Sequence, residues 1–305
     1  LLISSIPHVF YLNNFFYLTY TLSFLIACYG LNVIYKNKKR AFMLKNDVQI
    51  IGKDKLPVLD ILVAARDEEN VIGRLVERLF KLDYPSDRLN IYIIDDGSTD
   101  KTPLILERLS RDFDKLKIIN RSSNAGGGKS GALNYALKFT KGEWILILDA
   151  DAQLKKDTLS RLFAFVNKGG WSAVQLRKSV VNLNKNFLTT CQSMEMAMDA
   201  IFQYGRLSIA GVSELRGNGQ LINKEVLLKC GSFNEDTVTD DLDLSLRLLL
   251  SKSKIGILWD PPVMEEAVEN ISALFSQRQR WAEGGLQRFF DYGDQLFQKK
   301  IELIQ

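Results

Sequence analysis

Three short acidic stretches carry the side chains best suited to cation binding and proton transfer. They are Asp149-Ala150-Asp151, after the apolar run EWILIL, Asp95-Asp96, before a glycine, and Asp240-Asp241, after a threonine. In an extended chain, residues two apart point to the same side, so Asp149 and Asp151 are predicted to face one cation. A divalent ion with oxygen ligands, Mg²⁺ or Mn²⁺, would bridge a diphosphate there. An aspartate of the third stretch would take the proton from an attacking hydroxyl.

Groups suited to a nucleotide stand near these acids. Arg66 and Glu68 follow the first apolar run, where an arginine meets a base or phosphate and a carboxylate accepts hydrogen bonds from a nucleoside. Asp95 and Asp96 are placed to hold ribose hydroxyls and a uracil imide. Lys129 follows three glycines and suits a diphosphate.

A helical face near the end of the chain offers a second phosphate contact. Gln277, Arg280 and Trp281 have the i, i+3, i+4 spacing of one face. The arginine there would clamp a phosphate, and the indole would offer a flat surface to a sugar or an acceptor. The same aromatic-rich segment also suits an amphipathic helix lying on a membrane.

The acidic stretches have purely structural interpretations as well. The acids from Asp67 to Glu69 suit the first turn of a helix, where the macrodipole favours negative charge. Ser98 to Asp100 and Thr239 to Asp240 have the composition of helix caps, and the DAD pair would suit a solvated strand end. The position of DAD directly after a buried strand favours the cation-binding interpretation.

The composition excludes several classes of protein. The single histidine, His8, lies in an apolar leader, so a hydrolase with a histidine base is excluded and a carboxylate must accept protons. Three scattered cysteines support neither a disulfide framework nor a zinc cluster. A net charge of +4 over 305 residues, without a basic stripe, does not indicate a nucleic-acid partner. The GGGKS run lacks the first glycine of a P-loop, and no GxGxxG follows the first strand.

The N-terminal residues predict a membrane anchor. No Lys, Arg, Asp or Glu occurs from Leu1 to Tyr35, and Phe15 to Tyr35 has the length of a bilayer-spanning helix. The basic cluster that ends at Arg40 then places everything downstream in the cytoplasm. We predict an anchor over 1–40, a linker over 41–56, a catalytic domain over 57–292 and an interfacial helix over 293–305 that leads to further membrane segments.

Strands alternate with helices after the anchor. Apolar runs predict strands at Pro57–Ala65, Leu89–Ile94, Leu116–Ile119, Glu143–Leu148 and Trp171–Leu176. Two long helices, Phe187–Leu207 and Ser276–Ile304, are predicted in the second half. Strands separated by helices imply βαβ units, so we predict an α/β fold with a mostly parallel sheet. Its functional loops should lie at the carboxyl ends of the strands, where the acidic stretches stand.

Taken in order, the motifs DDGS, GGGKSGALN, DAD, TDD and QRQRW resemble those of one enzyme family. They are similar to the inverting GT-A glycosyltransferases of family 2, the cellulose-, chitin- and hyaluronan-synthase group. The resemblance runs from about Pro57 to Tyr292. It implies the nucleotide-diphosphosugar transferase fold, a UDP-sugar donor and a divalent metal.

The resemblance also implies roles for individual residues. The donor would be held by Arg66, Glu68, Asp95, Asp96, Lys129, Asp149, Gln277 and Arg280. Asp149 and Asp151 would hold Mg²⁺ or Mn²⁺, with Asp151 the more direct ligand. Asp241, beside Asp240, would be the catalytic base, and Trp281 would close the acceptor site.

A finer resemblance points to one branch of the family. The stretches ELRGNGQ, TDDLDLSLRL and RWAEGG are similar to those of cyanobacterial monoglucosyldiacylglycerol synthases, which transfer glucose from UDP-glucose to diacylglycerol. RGNGQ stands where polymer synthases tend to carry an acceptor-lining loop, so Gly219 and Gln220 are expected at the acceptor. This resemblance implies an integral membrane enzyme of the plasma or thylakoid membrane, with its catalytic domain in the cytoplasm.

Two alternatives stay open. A processive polysaccharide synthase of the cellulose, hyaluronan or poly-N-acetylglucosamine type would carry the same motifs and further membrane helices. A membrane protein that binds nucleotide sugars without catalysis would keep a donor site, although the intact Asp151 and Asp241 favour an enzyme. The predicted reaction is a single in-line displacement, in which Asp241 deprotonates the acceptor hydroxyl and the cation stabilises the departing UDP.

Overall fold

The computed structural model describes residues 20–32, 35 and 52–297. Seven strands form one sheet: β1 (Leu59–Ala65), β2 (Leu89–Asp96), β3 (Leu116–Arg121), β4 (Trp144–Leu148), β5 (Ala173–Val180), β6 (Gln220–Asn223) and β7 (Ile255–Glu265). The helices after residue 52 are α1 (Ile72–Leu79), α2 (Thr102–Asp112), α3 (Gly128–Leu137), α4 (Thr158–Gly169), α5 (Phe187–Ala210), α6 (Lys224–Lys229), α7 (Asp240–Leu250) and α8 (Ile271–Phe297). A 3-10 turn, Lys53–Lys55, precedes β1, and residues 20–32 are helical.

The sheet is mostly parallel, with the strand order β3-β2-β1-β4-β6-β5-β7. β1 pairs in parallel with β2 and β4, β2 with β3, and β5 with β7, whereas β6 runs antiparallel to β4 and β5. Because only β6 is reversed, the carboxyl ends of all the other strands lie along one edge. The loop that leads into β6 arrives at the same edge.

Both faces of the sheet are buried under helices. In β1, Ile61 and Val63 join the core beneath α1, α2 and α4, whereas Leu62 joins the core beneath α3, α6 and α7. Strands buried on both faces are nearly continuous apolar runs in the sequence, as WILIL of β4 shows. The sheet therefore holds its strand ends in a fixed frame.

The register of strand pairing aligns the acidic stretches. Ala65 of β1 is opposite Asp95 of β2, and Val63 of β1 is opposite Leu148 of β4. The chain segments that follow β1, β2 and β4 consequently leave the sheet at similar levels. This alignment brings stretches that are distant in sequence to one place.

The predicted α/β fold with a mostly parallel sheet is confirmed, and the five predicted strands correspond to β1 to β5. The strands β6 and β7 were not predicted. The last helix begins at Ile271 rather than at Ser276, and its predicted end at Ile304 lies outside the described residues.

The membrane anchor falls largely outside the part of the chain that the structure describes. The predicted span from Phe15 to Tyr35 is described only at 20–32 and 35, and the basic flank and linker residues 41–51 are not described. Within the described ranges, no helix combines the length and the apolar character needed to cross a bilayer. The anchor, the interfacial helix over 293–305 and the domain boundaries stay predictions.

Candidate active site

Lys129 and Asp149 form an ion pair at the centre of the carboxyl edge of the sheet. Lys129 Nζ, in the first turn of α3, lies 2.6 Å from Asp149 Oδ1, just after β4. Burial alone would lower the pKa of Lys129, but the nearby carboxylates of Asp149 and Asp240 raise it above its usual value. Burial likewise opposes ionisation of Asp149, yet the ammonium of Lys129 keeps the pKa of Asp149 below its usual value. Both groups are therefore charged at neutral pH.

The DAD stretch lies in a turn beyond β4 and not in the strand itself. β4 ends at Leu148, and a 3.0 Å hydrogen bond from the Ala152 N–H to the Asp149 carbonyl closes the turn. The expectation that Asp149 and Asp151 point to the same side as strand residues is therefore wrong, because the chain has already left the sheet. Asp151 Oδ2 accepts a 2.8 Å hydrogen bond from the Glu266 N–H, directly after β7.

Asp151 and Glu68 lie in a region of concentrated negative charge. Burial, together with the carboxylates of Asp149 and Glu265, raises the pKa of Asp151 to about 6. Burial and then the carboxylates of Asp151 and Asp149 raise the pKa of Glu68 to about 7. Because Glu68 and the acids of the DAD stretch act on each other in this way, a cation bound among them would relieve their repulsion.

Asp241, the predicted base, lies in the first turn of α7. Burial, and then the carboxylate of Asp240, raises the pKa of Asp241 to about 6. Lys129 and Lys178 act on Asp241 in the opposite direction, and both lysines also lower the pKa of Asp149. Asp149 and Asp241 therefore lie near the same two lysines, and the region around these four side chains is called the cleft below.

Two oxygens beside the base lack hydrogen-bond partners. Asp240 Oδ2 and Thr239 Oγ1 are buried, and neither is paired with any group in the described residues. Thr239 occupies the predicted N-cap position of α7, with acids in the first turn, but its side chain makes no capping hydrogen bond. An unpaired buried oxygen costs roughly 1–3 kcal/mol, which a bound ligand that donates a hydrogen bond would recover.

The acids after β1 and β2 are largely satisfied within the protein. Asp67 Oδ1 accepts hydrogen bonds from the Thr99 N–H at 2.7 Å and from the Asp100 N–H at 3.3 Å. Asp95 Oδ1 accepts a 3.0 Å hydrogen bond from the Ser98 N–H, and Asp95 is only 6% exposed. Hydrogen bonds within the protein thus account for the contacts of Asp67 and Asp95, and the donor-binding role of Asp95 stays a prediction. The interpretation of Asp67 to Glu69 as the first turn of a helix is wrong, because α1 begins at Ile72 and has no acid in its first turn.

Three other predicted donor residues differ in their surroundings. Asp96 Oδ1 lies 2.6 Å from Arg121 Nη1, and this pair is nearly buried. The Glu68 backbone N–H donates to Thr102 Oγ1 at 2.8 Å, which fixes the loop after β1 against α2. Arg66 is exposed to solvent. Among these three residues, Glu68 is the one whose pKa is raised by burial and by the carboxylates of the DAD stretch.

On α8, the contacts are made by Arg278 and not by the predicted Arg280. The Arg278 guanidinium stacks 4.1 Å from the centre of the Trp281 ring and also hydrogen-bonds Glu195 of α5. Arg280 and Trp281 are exposed, and Gln277 is half-buried. This cation–π contact attracts the guanidinium of Arg278 to the Trp281 ring. The donor and acceptor contacts predicted for this group stay predictions.

The helix α8 also holds the loop that carries the base. The Val238 N–H donates to Gln287 Oε1 at 3.1 Å, and Gln287 Nε2 donates to the Asp236 carbonyl at 2.8 Å. Any side chain at Gly284 would collide with Thr239, so this glycine allows α8 to approach the start of α7. These contacts give Gly284, in the RWAEGG stretch, and Gln287, just after it, a positioning role that the sequence alone did not reveal.

Gly219 and Gln220, expected at the acceptor, lie inside the sheet. Gln220 is the first residue of β6 and is 0% exposed. Gly219 has a φ of 78°, and a side chain there would collide with Val263 of β7. The structure therefore does not place these two residues on an acceptor-lining surface, because the chain has already entered the sheet.

Three buried polar residues next to the cleft were missed by sequence reasoning. Lys178 Nζ, near the end of β5, lies 2.8 Å from Glu265 Oε1 at the end of β7. Asn218, which is 0% exposed, accepts a 3.1 Å hydrogen bond from the Asp149 N–H. One signal was available in the sequence, since an amide between two glycines is typical of a residue that bonds backbone in a tight turn.

The acids of the DAD stretch fit a divalent cation that is bound together with a nucleotide. Within the described residues, no group of three or more Asp, Glu, His or Cys side chains is arranged to hold a metal by itself. Mg²⁺ in nucleotide-dependent enzymes is commonly held by one or two carboxylates, with substrate phosphates and water completing its shell. Asp149 and Asp151 supply such a pair of carboxylates, and the pKa of Asp151 is raised first by burial and then by the neighbouring carboxylates of Asp149 and Glu265.

Comparison with known proteins agrees with this geometry. Residues 57–284 match the model of the family described as "Glycosyltransferase like family 2". The chain is 48% identical over 246 residues to the beta-monoglucosyldiacylglycerol synthase of Nostoc sp. PCC 7120, covering 81% of this chain and 53% of the relative. The synthase of the same name from Synechocystis sp. PCC 6803 is 48% identical over 236 residues, covering 77% and 49%. The chain thus spans about half the length of these curated relatives.

A solved structure shows the same fold. The mannosyltransferase PcManGT from Pyrobaculum calidifontis, in complex with GDP-Man and Mn²⁺, has a TM-score of 0.68 and 21% identity and covers 88% of this chain and 73% of its own. The sheet and its acidic edge therefore define a GT-A transferase fold. This chain belongs to glycosyltransferase family 2.

Proposed function

We propose that this chain is the catalytic domain of a membrane-bound, inverting glycosyltransferase that moves glucose from UDP-glucose to diacylglycerol. The observation that carries the proposal is the shared cleft, in which Lys129 pairs with Asp149 and lies in the field of Asp240 and Asp241. A single displacement requires the leaving diphosphate and the attacking hydroxyl to be held in one such cleft. The names of the two cyanobacterial relatives support glucose and diacylglycerol.

Asp241 acts as the base in this proposal. Its Oδ1 accepts a 2.9 Å hydrogen bond from the Leu242 N–H, so Oδ2 is the oxygen left to take the proton of the acceptor hydroxyl. With a pKa of about 6, Asp241 is ionised at neutral pH and is a stronger base than an ordinary aspartate. The acceptor oxygen attacks the anomeric carbon from the side opposite the departing UDP, which inverts that centre.

The donor lies on the other side of the cleft. Lys129 contacts the diphosphate, and Asp149 and Asp151 hold Mg²⁺ or Mn²⁺. When bound, the cation supplies charge stabilisation to the departing UDP. Glu68 and Asp96 hold the nucleoside, and Asp96 is kept in place by its 2.6 Å ion pair with Arg121.

The surface formed by α5 and α8 supports an acceptor taken from a membrane. Both helices expose large apolar side chains, among them Phe187, Met194, Met198, Phe275, Phe289 and Phe290. Arg278 of α8 hydrogen-bonds Glu195 of α5, so the two exposed faces are joined. Exposed aromatic and methionine side chains on adjoining helices suit insertion at the headgroup level of a bilayer. An anchor over 1–40, with domain 57–292 on the cytoplasmic side of a plasma or thylakoid membrane, would keep this surface at the lipid.

The proposal is tested with the purified chain, radiolabelled UDP-glucose, Mg²⁺ or Mn²⁺, and vesicles that contain diacylglycerol. Organic extraction followed by chromatography separates glycolipid from insoluble polymer and from free glucose. We expect label in a lipid that a β-glucosidase releases as glucose, because an inverting enzyme makes the β-linkage from an α-linked donor. Matched vesicles without diacylglycerol should give none.

The other outcomes decide between the alternatives. Label in insoluble polymer would replace the lipid acceptor with a growing glycan and favour a processive synthase. Tight binding of UDP-glucose with no UDP release under any condition would show a binding protein without catalysis. An α-linked lipid product would refute the single displacement.

A further inference from the structure

A buried loop connects the two sides of the proposed reaction centre. Residues 214–219, with the sequence ELRGNG, lead into β6 and are called the RGNG loop below. Near its start, the Leu215 N–H donates to Ser245 Oγ at 2.7 Å, and that hydroxyl donates to the Asp241 carbonyl at 2.6 Å. The start of the loop is therefore tied to the turn of α7 that carries the base.

The end of the RGNG loop is tied to β4, on the metal-binding side. The Gly219 N–H donates to the Ile147 carbonyl at 3.0 Å, and the Asp149 N–H donates to Asn218 Oδ1 at 3.1 Å. Asn218 Nδ2 donates in turn to Glu265 Oε2 at 3.2 Å. The buried carboxamide of Asn218 thus joins the DAD turn to the end of β7.

The middle of the RGNG loop is fixed to β5 and passes beside the base. Gln175 Oε1 accepts from the Arg216 N–H at 2.7 Å, and Gln175 Nε2 donates to the Asn218 carbonyl at 2.7 Å. Between these bonds, Gly217 has a φ of 81°, a conformation that favours glycine. A Cβ built at Gly217 would lie 3.6 Å from Asp241 Oδ2, so the loop and the base are in direct proximity.

The chemistry of Asn218 is specific to its two partners. One end of its side chain must accept a hydrogen bond from a backbone N–H, and the other must donate to a carboxylate, which is what a carboxamide supplies. The second oxygen of Glu265 is engaged by Lys178 at 2.8 Å, so the carboxylate has a fixed position. Replacing either polar group in this buried place would leave its partner unsatisfied.

We propose that Asn218 is a positioning residue for sugar transfer, whose carboxamide sets the geometry between Asp149 on the donor side and Asp241 on the acceptor side. The inference rests on the proposed function, because it concerns the alignment of those two groups. It assigns the RGNG loop a role in coupling the two sides of the cleft rather than in lining the acceptor. Alignment of this kind contributes to the transition state and not to ground-state binding of the donor.

A double-mutant cycle with the partner carboxylate tests this proposal. Asn218→Asp places a second carboxylate against Glu265, whereas Glu265→Gln supplies an amide that donates to it, so the combined variant restores a donor–acceptor pair. We expect Asn218→Asp to lower kcat by about 30-fold or more with the KM for UDP-glucose changed less than about threefold, since lost alignment lowers kcat and kcat/KM together. Combining it with Glu265→Gln should restore kcat to within about fivefold of the wild type.

The matched control is Asn182→Asp. Asn182 also bridges to the segment after β7, through bonds of 2.8 and 2.9 Å with the Ala267 N–H and carbonyl, but it has no bond to Asp149 or to the RGNG loop. It should leave kcat within about twofold, because the same chemical change is made away from the coupling path. UDP release is followed as well as lipid labelling, since it reports attack by any acceptor, water included.

A second readout does not depend on activity. UDP alone should raise the Tm of Asn218→Asp as it does in the wild type, whereas the further rise on adding Mn²⁺ should shrink, because Asp149 is displaced. Should Asn218→Asp fail to fold, Asn218→Ser is measured in the same two assays and is expected to show the same loss of kcat.

The outcomes separate this inference from the proposed function. A wild-type chain that releases UDP without labelling lipid would contradict the lipid acceptor alone, and the cycle is then read on UDP release. A wild type that releases no UDP would overturn the proposed function and the inference together. An active wild type with Asn218→Asp retaining kcat within about twofold, or with no recovery on adding Glu265→Gln, would overturn the inference alone.

Discussion

Asp67, in the loop after β1, and the acids Asp151 and Asp241 of the inner cleft have opposite electrostatic states. In the loops, hydrogen bonds from the backbone and hydroxyl of Thr99 keep the pKa of Asp67 below its usual value. In the cleft, burial and neighbouring carboxylates raise the pKa of Asp151 and of Asp241 to about 6. Asp67 already receives hydrogen bonds from the protein itself. Asp151 and Asp241 are instead buried among other carboxylates.

This difference separates residues that shape the site from residues that react in it. A carboxylate with its hydrogen bonds already made gains little from a ligand and serves to hold a loop. A desolvated carboxylate among like charges gains most when a cation or a proton arrives. The ion pair of Lys129 with Asp149 stands between the groups, since it is satisfied now but would be rearranged by a diphosphate.

The largest effect is expected at the base. Asp241→Asn should lower kcat by about 10²–10⁴-fold, the usual contribution of a general base, because an amide accepts no proton. UDP binding measured by calorimetry should stay within about threefold, since the side chain lies on the acceptor side. Asp236→Asn, an exposed acid in the preceding loop, is the matched control and should be near wild type. Equal activity of Asp241→Asn and Asp236→Asn would show that Asp241 is not the catalytic base.

Substitution of Asp151 is expected to lower activity less than substitution of Asp241 does. The same substitution should raise the stability of the protein. An acid whose folded pKa of about 6 exceeds its usual 3.8 disfavours the folded state once it ionises, so stability falls as pH rises from about 4 to 6. Asp151→Asn removes this penalty and should stabilise the metal-free protein at pH 7.5 by about 1 kcal/mol, after allowance for solvent screening. It should also lower kcat about 100-fold, because one of the two metal-binding carboxylates is lost.

Differential scanning calorimetry and rate measurements check both parts. The Tm should rise in EDTA and should respond less to Mn²⁺ with UDP than the wild type does. Asp114→Asn, an exposed acid far along the chain, controls for loss of charge. A variant that is less stable in EDTA would show that Asp151 belongs with the satisfied acids.

The first half of the fold could be predicted from the sequence because its strands are buried on both faces. Such strands are uninterrupted apolar runs bounded by polar loops, as EWILIL shows, and their acidic ends are then located by the parallel topology. The strand β7 was missed because Asp260, Pro261 and Pro262 interrupt its apolar pattern, and prolines argue against a paired strand. The short β6 was missed because four residues carry too little periodicity.

The site could be predicted where its residues form motifs, and not where they are linked by contacts. Acidic pairs at element ends are visible in sequence, and the structure brings Asp149, Asp151 and Asp241 to the same end of the sheet, whereas their roles stay predictions. Asn218 precedes β6 and Glu265 ends β7, two strands that were not predicted, and their bond spans 47 positions in the chain. No local pattern encodes such a contact, since the sheet order alone brings the two residues together.

The pH dependence of transfer tests whether the raised pKa of Asp241 controls the reaction rate. Because the base must be deprotonated, kcat/KM should fall about tenfold per pH unit below about 6, the raised pKa of Asp241 in the free protein. The rates are measured at UDP-glucose concentrations below the KM, with saturating metal. Glu68→Gln serves as the control, since the pKa of Glu68 is about 7 and its removal should leave the limb near 6 in place. A limb that moves in this variant, or a flat profile down to pH 5, would assign the titration to another group.

The smallest effect is expected among the satisfied acids, at Asp67. Its Oδ1 accepts bonds from the Thr99 N–H, the Thr99 hydroxyl and the Asp100 N–H, at 2.7, 3.1 and 3.3 Å, and its φ is 56°. Asparagine tolerates that conformation and keeps one acceptor oxygen, so Asp67→Asn should only loosen the loop next to Glu68. We expect the KM for UDP-glucose to rise about threefold with kcat unchanged, the result of losing binding that is uniform along the reaction. Steady-state kinetics distinguish this from the contrary case. A fall in kcat at constant KM would mean that the charge of Asp67 acts on the transition state. Asp67 would then belong with the acids that take part in the reaction, and the distinction drawn between the two kinds of acid would not hold for it.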